Sequence, residues 1–250
     1  MLNRPPHEAH IAEQLQHSID GGSLNFDYFS PDEKIRLSVF ASAANTDRDS
    51  YYGPGNDPLK AYGKTTDLTA MGGAQYVHTF DKCFFMPSDL TAGLEYNRDR
   101  LKDNMWGYNR HTDQTVNIYS AFLQNEWKND RWGILIGGRL DKHNMVDNVI
   151  FSPRANLRFN PTQNINLRLS YSSGFRAPQA FDEDMHIENV GGTVAMIERA
   201  KDLKEEKSQS FSVSADMYHR FGAFKTNLLI EGFYTRLTEV FVLGNPYDRG

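Results

Sequence analysis

Apolar and polar residues alternate at period two along most of this chain, the signature of strands with two unlike faces. In NINLRLSYSS, residues 164–173, Ile165, Leu167, Leu169 and Tyr171 share one face while Asn166, Arg168, Ser170 and Ser172 share the other. The preceding VIFSPRANLRF sets Val149, Phe151, Pro153, Ala155, Leu157 and Phe159 against Ser152, Arg154, Asn156 and Arg158. KIRLSVFAS and SFSVSADMYHR behave alike. The pattern predicts about ten strands, near 15–29, 34–44, 68–80, 89–97, 115–128, 131–141, 150–159, 164–173, 208–220 and 223–236. Most run to roughly 9–14 residues, longer than the five or six of ordinary sheets and suited to the 9–11 that a tilted strand needs to cross a bilayer. Helical periodicity is confined to two short stretches, Glu8 to Gln16 and Val194 to Lys204.

The connections alternate too. Short turns fall at SPDE (30–33), ND (129–130), NPTQ (160–163) and FG (221–222), with the longer DKCFFMPS (81–88) among them. Between these come longer links at 45–67, 98–114, 142–149 and 174–207. An up-and-down sheet sends alternate turns to opposite ends, so one end is trimmed and the other elaborated, as in membrane barrels. Tyr28, Phe29, Phe80, Phe84, Phe85, Trp127, Trp132, Phe159, Phe221 and Phe224 cluster beside the short turns, which reads as one aromatic girdle at a membrane interface.

Composition narrows the partners. Net charge is -5 with acids and bases interspersed, so no basic face for nucleic acid is visible. The lone Cys83 can form no internal disulfide and lacks the spacing of a zinc site. No apolar run approaches the roughly 18–20 residues of a membrane helix. The N-terminus lacks the apolar core of a secretion signal, so the chain either stays in the cell or lacks its natural beginning.

Two motifs carry a resemblance. Tyr171, Gly174, Phe175, Arg176, Ala177 and Pro178 form a Tyr-x-x-Gly-Phe-Arg-Ala-Pro block at a strand end, and across a long link Leu203, Lys204, Glu205, Glu206, Lys207 and Ser208 announce the next strand. With GLEYN (93–97), AFLQNEW (121–127) and GGRLDKH (137–143), the chain resembles the TonB-dependent outer-membrane receptors of bacteria, the vitamin B12 and siderophore group. Glu205 stands where that family usually has proline. The resemblance implies an all-β, antiparallel, up-and-down transmembrane barrel in the outer membrane of a Gram-negative bacterium. It implies that residues 1–250 are a central part of the barrel, about ten strands of roughly 22, with the plug domain and C-terminal strands missing. It further implies binding of a large scarce nutrient (cobalamin, iron chelate, haem or glycan) at the outer loops and import driven by the TonB complex acting through the plug. Neither catalysis nor a cofactor is implied, and the remaining partner is outer-membrane lipid.

Candidate contacts with a nutrient are loop residues: Tyr51, Tyr52, Trp106, Tyr108, Phe181, Asp184 and His186. Exposed rings can stack on flat ligands, or they can pack loop against loop. Asp182, Glu183, Asp184, His186 and Glu188 lack the burial that acid–base catalysis requires and any recognised metal spacing, so they read as solvating or ordering a loop, with substrate or calcium contact as the alternative. Arg154, Arg158 and Arg168 on the polar face are expected to pair with carboxylates of the wall or plug. Competing classes are a soluble all-β binding module, whose apolar stripes would share a common interior, and an outer-membrane barrel enzyme, for which no Ser/His/Asp arrangement is visible.

Overall fold

The computed structural model describes residues 5–8, 13–53, 61–179, 188–190, 193–195 and 203–242. Ten strands form one antiparallel sheet in chain order: β1 (Glu13–Phe29), β2 (Ile35–Tyr52), β3 (Tyr62–Cys83), β4 (Met86–Met105), β5 (Arg110–Lys128), β6 (Trp132–His143), β7 (Ile150–Thr162), β8 (Ile165–Arg176), β11 (Glu206–Phe221) and β12 (Phe224–Thr238). A small hairpin, β9 (Glu188–Val190) with β10 (Thr193–Ala195), interrupts the link between β8 and β11. β1 and β12 are the two edges, so the sheet is an incomplete barrel. No helix of the described residues is long and apolar enough to cross a membrane; strands are the elements of sufficient length.

The two faces match the period-two pattern. One transverse row runs Leu37, Tyr76, Ala92, Leu123, Gly138 and Pro153 across β2 to β7, and Leu157, Leu169 and Val213 continue the apolar face onto β8 and β11. Phe151, Leu169 and Val213 are 60%, 51% and 57% exposed. They gather into no common interior, which removes the soluble-module reading: that apolar face needs hydrocarbon as its solvent. The opposite face carries Asn156, Ser170 and Ser212 in register, with the Ser170 and Ser212 hydroxyls bonded to each other.

Strand lengths differ from expectation at one end. β2, β3, β4 and β5 have 18, 22, 20 and 19 residues, so most of 45–67 and 98–114, expected as loops, is strand. Crossing an apolar band of about 25 Å at a tilt near 40° uses only about ten residues. The remainder stands in water, where polar residues suit both faces and alternation fades, yet each backbone group still finds its partner on the neighbouring strand. The helical stretch expected at Glu8 to Gln16 also fails: Pro6–Glu8 is one 3-10 turn and Glu13–Gln16 opens β1. Of Val194 to Lys204, the described Val194 and Ala195 are strand and the described Leu203 and Lys204 are neither helix nor strand.

The other end is as trimmed as expected, and tighter at DKCFFMPS, where only Phe84 and Phe85 separate β3 from β4. Phe84 takes a positive φ of 61° there. The girdle is present: Trp132 stacks on Phe159 at 4.2 Å and Phe85 on Trp127 at 5.7 Å, while the Trp127 indole N–H donates to the Cys83 carbonyl at 3.0 Å.

Candidate functional site

The elaborated end of the polar face holds the chemistry. Arg48 on β2, Thr65 on β3 and Asp103 on β4 are register neighbours, so backbone pairing alone brings three distant residues into one row. Asp103 has no exposed surface; it accepts from Thr65 Oγ1 at 2.7 Å and from Arg110 Nη2 and Nε at 3.0 and 3.2 Å, with Arg48 Nη2 at 3.8 Å. A buried carboxylate between two guanidinium groups is held by charge and by directed hydrogen bonds together, and it ties β2, β3, β4 and β5 at their upper ends.

A second network lies on β4, β5 and β6. Glu95, Ser120 and Asp141 are register neighbours. Arg139 reaches all three, donating to Glu95 at 2.6 Å, Asp141 at 2.8 Å and Ser120 Oγ at 2.7 Å. Beside it opens a cleft of about 310 Å³ lined by Asn97, Ile118, Arg139, Asp141, Ser152, Ser173, Gly174 and Phe175. Two residues of the Gly-Phe-Arg-Ala-Pro block thus line the cleft. A Cβ on Gly174 would stand 3.2 Å from Ser208 Oγ on β11, so a larger residue there would need the Ser208 side chain to give way.

Above the cleft, His143 is fully buried. Its Nδ1 accepts from the Met145 N–H at 3.0 Å, which leaves the proton on Nε2 to donate to Gln179 Oε1 at 3.0 Å. Lys142 Nζ donates to the carbonyls of Val146 and Asp147. Val146, Ile150 and Ala177 pack with Phe175 in a small apolar cluster. The 144–149 connection and the segment after β8 are therefore anchored on each other.

The sequence-expected contacts are placed unevenly. Tyr51 and Tyr52 end β2 rather than riding a long loop, and are buried at 2% and 3%. Tyr51 meets Tyr62 edge-on at 4.9 Å, and Tyr52 packs with Met105 and Tyr108. Both rings are packed within the wall. Met105 lies directly over Gly63, where any Cβ would collide with its sulfur, so Gly63 is what admits the cluster. Trp106 and Tyr108 occupy a single 3-10 turn in the short 106–109 connection. Tyr108 is half-buried and its hydroxyl donates to the Tyr52 carbonyl, whereas Trp106 is 56% exposed. Burial pushes the Tyr51 and Tyr108 hydroxyls above their ordinary range. Of the family block, Arg176 ends β8 with Glu206 4.0 Å away, and Ala177 and Pro178 follow it. Phe181, Asp184 and His186 lie outside the described residues.

Within this chain the arginines of the polar face pair with neutral oxygens and not with wall carboxylates. Arg154 donates to the Gln124 side-chain oxygen, Arg158 to the Asn129 and Trp132 carbonyls, and Arg168 to Asn166 Oδ1. Register explains this, because Arg154 stands between Gly137 and Ser172 and Arg158 between Gly133 and Arg168, with no carboxylate at either side. The networks around Asp103 and Arg139 were missed, although period two places Arg139 and Asp141 on one face of GGRLDKH. Among the described residues, no group of three or more His, Cys, Asp or Glu could hold a metal ion.

The family model of TonB dependent receptor-like β-barrels matches residues 9–248. No curated protein sequence matches the chain. Among solved structures, the siderophore receptor PirA of Pseudomonas aeruginosa is 13% identical, with a TM-score of 0.72 over 91% of this chain and 40% of that one. A double mutant of the Serratia marcescens hemophore receptor HasR, in complex with its hemophore HasA and heme, is 13% identical with a TM-score of 0.72, over 90% and 40%. The ferric enterobactin receptor PfeA of Pseudomonas aeruginosa, as a point mutant, is 17% identical with a TM-score of 0.66, over 89% and 34%. The chain spans two fifths or less of these structures, and the likeness is one of fold. The chain belongs to the TonB-dependent receptor β-barrel family, whose members sit in the outer membrane of Gram-negative bacteria.

Proposed function

We propose that this chain is a central part of the barrel of an outer-membrane nutrient receptor, which binds a large scarce ligand at its elaborated end and imports it by TonB-driven transport. The observation that carries the reading is the division of one ten-stranded sheet into an exposed apolar face and a polar face whose buried charges concentrate at the elaborated end. The family match supports the class. The siderophore and hemophore receptors among the similar folds support an iron chelate or haem over cobalamin or a glycan. Residues 1–250 would be one segment of a barrel domain, its edges β1 and β12 continued by further strands and its lumen filled by a plug through which TonB acts. On this reading none of the wall residues performs covalent chemistry.

Trp106 is the ring best placed to meet the ligand, being exposed at the tip of the β4–β5 connection, and Phe181, Asp184 and His186 remain candidates on the link after β8. Tyr51 and Tyr52 shape the wall from behind. The test is uptake of labelled ferric siderophores, haem and cobalamin by cells carrying the complete receptor, with and without a functional TonB. Accumulation of one ligand that needs both the receptor and TonB supports the proposal. Uptake unaffected by loss of TonB overturns it.

A further inference from the structure

The apolar face carries a charged feature that ligand uptake does not use. On β4, Leu90, Ala92, Leu94 and Tyr96 face outward with the exposed Leu123 and Tyr119 of β5, and the next side chains on that face are Arg98, Arg100 and Lys102, all exposed. Register sets Arg98 between Ala70 and Asn117, and Arg100 between Leu68 and Thr115. Directly beneath, Tyr96 and Tyr119 pack at 4.9 Å and the Tyr96 hydroxyl is turned upward, donating to Asn117 Oδ1 at 2.8 Å. Interfacial tyrosines take this orientation.

Depth decides what these cations meet. The aromatic girdle at the trimmed end is marked on β4 by Ser88, the register partner of Trp127. Ten residues separate Ser88 from Arg98. At about 3.4 Å per residue and a tilt near 40°, Arg98 stands roughly 26 Å above that girdle, against an apolar band of about 25 Å. Arg98 and Arg100 therefore lie at the outer edge of hydrocarbon, with Arg100 beside the exposed Leu68 along which its stem can lie.

The charges higher on this face are largely matched. Lys102 is 3.8 Å from Asp113, Lys64 stands opposite Asp49, Asp47 accepts from Asn45 and Thr66, and Lys142 is held by carbonyls. Among the described residues, neither the Arg98 nor the Arg100 guanidinium has an acid partner. Two unmatched, planar donors at headgroup depth suit phosphate, which guanidinium binds in bidentate fashion. We propose that Arg98 and Arg100, above the Tyr96–Tyr119 pair, bind a phosphate-bearing lipid headgroup of the outer leaflet.

The test uses the complete receptor purified in a neutral detergent, with bound lipid counted by native mass spectrometry. Bisphosphorylated lipid A should bind, phosphatidylcholine should not, and R98Q/R100Q should weaken lipid A binding roughly tenfold or more. K64Q, on the same face but higher and opposite Asp49, should leave it unchanged. Unaltered binding in R98Q/R100Q, or equal binding of phosphatidylcholine, overturns the proposal. Displacement of lipid A by millimolar inorganic phosphate, marking a free-anion site, overturns it as well.

Discussion

Replacing Asp103 with alanine removes a carboxylate that Arg110 and Arg48 share within the buried row at the upper ends of β2 to β5. Arg48 is 5% exposed, so its charge stays in the low-dielectric site when the acid is gone. Thr65 Oγ1 also loses its acceptor. Breaking a buried pair from one side costs about 3–5 kcal/mol, because the remaining charge stays buried without the acid that faced it. The membrane-crossing part of the sheet does not depend on this row, so the loss should appear as local opening. Taking about 3 kcal/mol, amide exchange of backbone groups near Arg48, Thr65 and Asp103 should accelerate roughly 100-fold while exchange lower in β3 and β4 stays unchanged. Hydrogen–deuterium exchange of the complete receptor measures this peptide by peptide. Asp113→Ala is the control, because its 3.8 Å contact with Lys102 is exposed on both sides and such pairs contribute about 0–1 kcal/mol. Equal exchange in D103A and D113A would refute the reasoning.

Two further outcomes follow from the same geometry. Leu169→Arg, placed on the exposed apolar face about midway up β8, should cost about 2–4 kcal/mol of barrel stability. Ser170→Arg, one residue along and on the polar face, should cost far less; urea titration of the receptor in lipid vesicles compares them, and equal midpoints would contradict the assignment of faces. The second concerns alkaline pH. Unfolded tyrosine ionises near pH 10, and burial raises Tyr51 and Tyr108 above that. An opened state therefore gains by ionising where the closed state does not, so the cluster with Tyr52 and Met105 should lose stability as pH rises through about 10. Spectrophotometric titration of tyrosinate should show an ionisation step delayed in the native protein and lost in Tyr51→Phe/Tyr108→Phe.

The fold was legible because hydrocarbon and lumen impose different rules on alternate residues: Ile165 to Tyr171 and Phe151 to Phe159 announce their faces without help from any neighbour. The girdle at Trp127, Trp132 and Phe159 was legible for the same reason. Legibility fades where both faces meet water. Asn45 to Tyr52 and Arg98 to Met105 carry polar residues on both sides, so nothing in their pattern distinguishes strand from loop, and only pairing with the next strand reveals them. The site was harder still. Arg48, Thr65, Asp103 and Arg110 come from four strands and meet only because of register, which single-strand patterning does not determine. Tyr51 and Tyr52 looked like exposed rings before a Gly-Pro-Gly turn, yet Tyr51 packs edge-on against Tyr62, and Gly63, opposite Ser50, lets Met105 close over Tyr52.

The central claim, that alternate residues of each strand meet hydrocarbon and lumen, is tested most directly by a lipid-confined carbene probe applied to the complete receptor in native membranes. Labelling should fall on Phe151, Leu167, Leu169 and Val213 and spare Ser170, Ser172 and Ser212. Labelling of both sets alike, or of the serines alone, would contradict it.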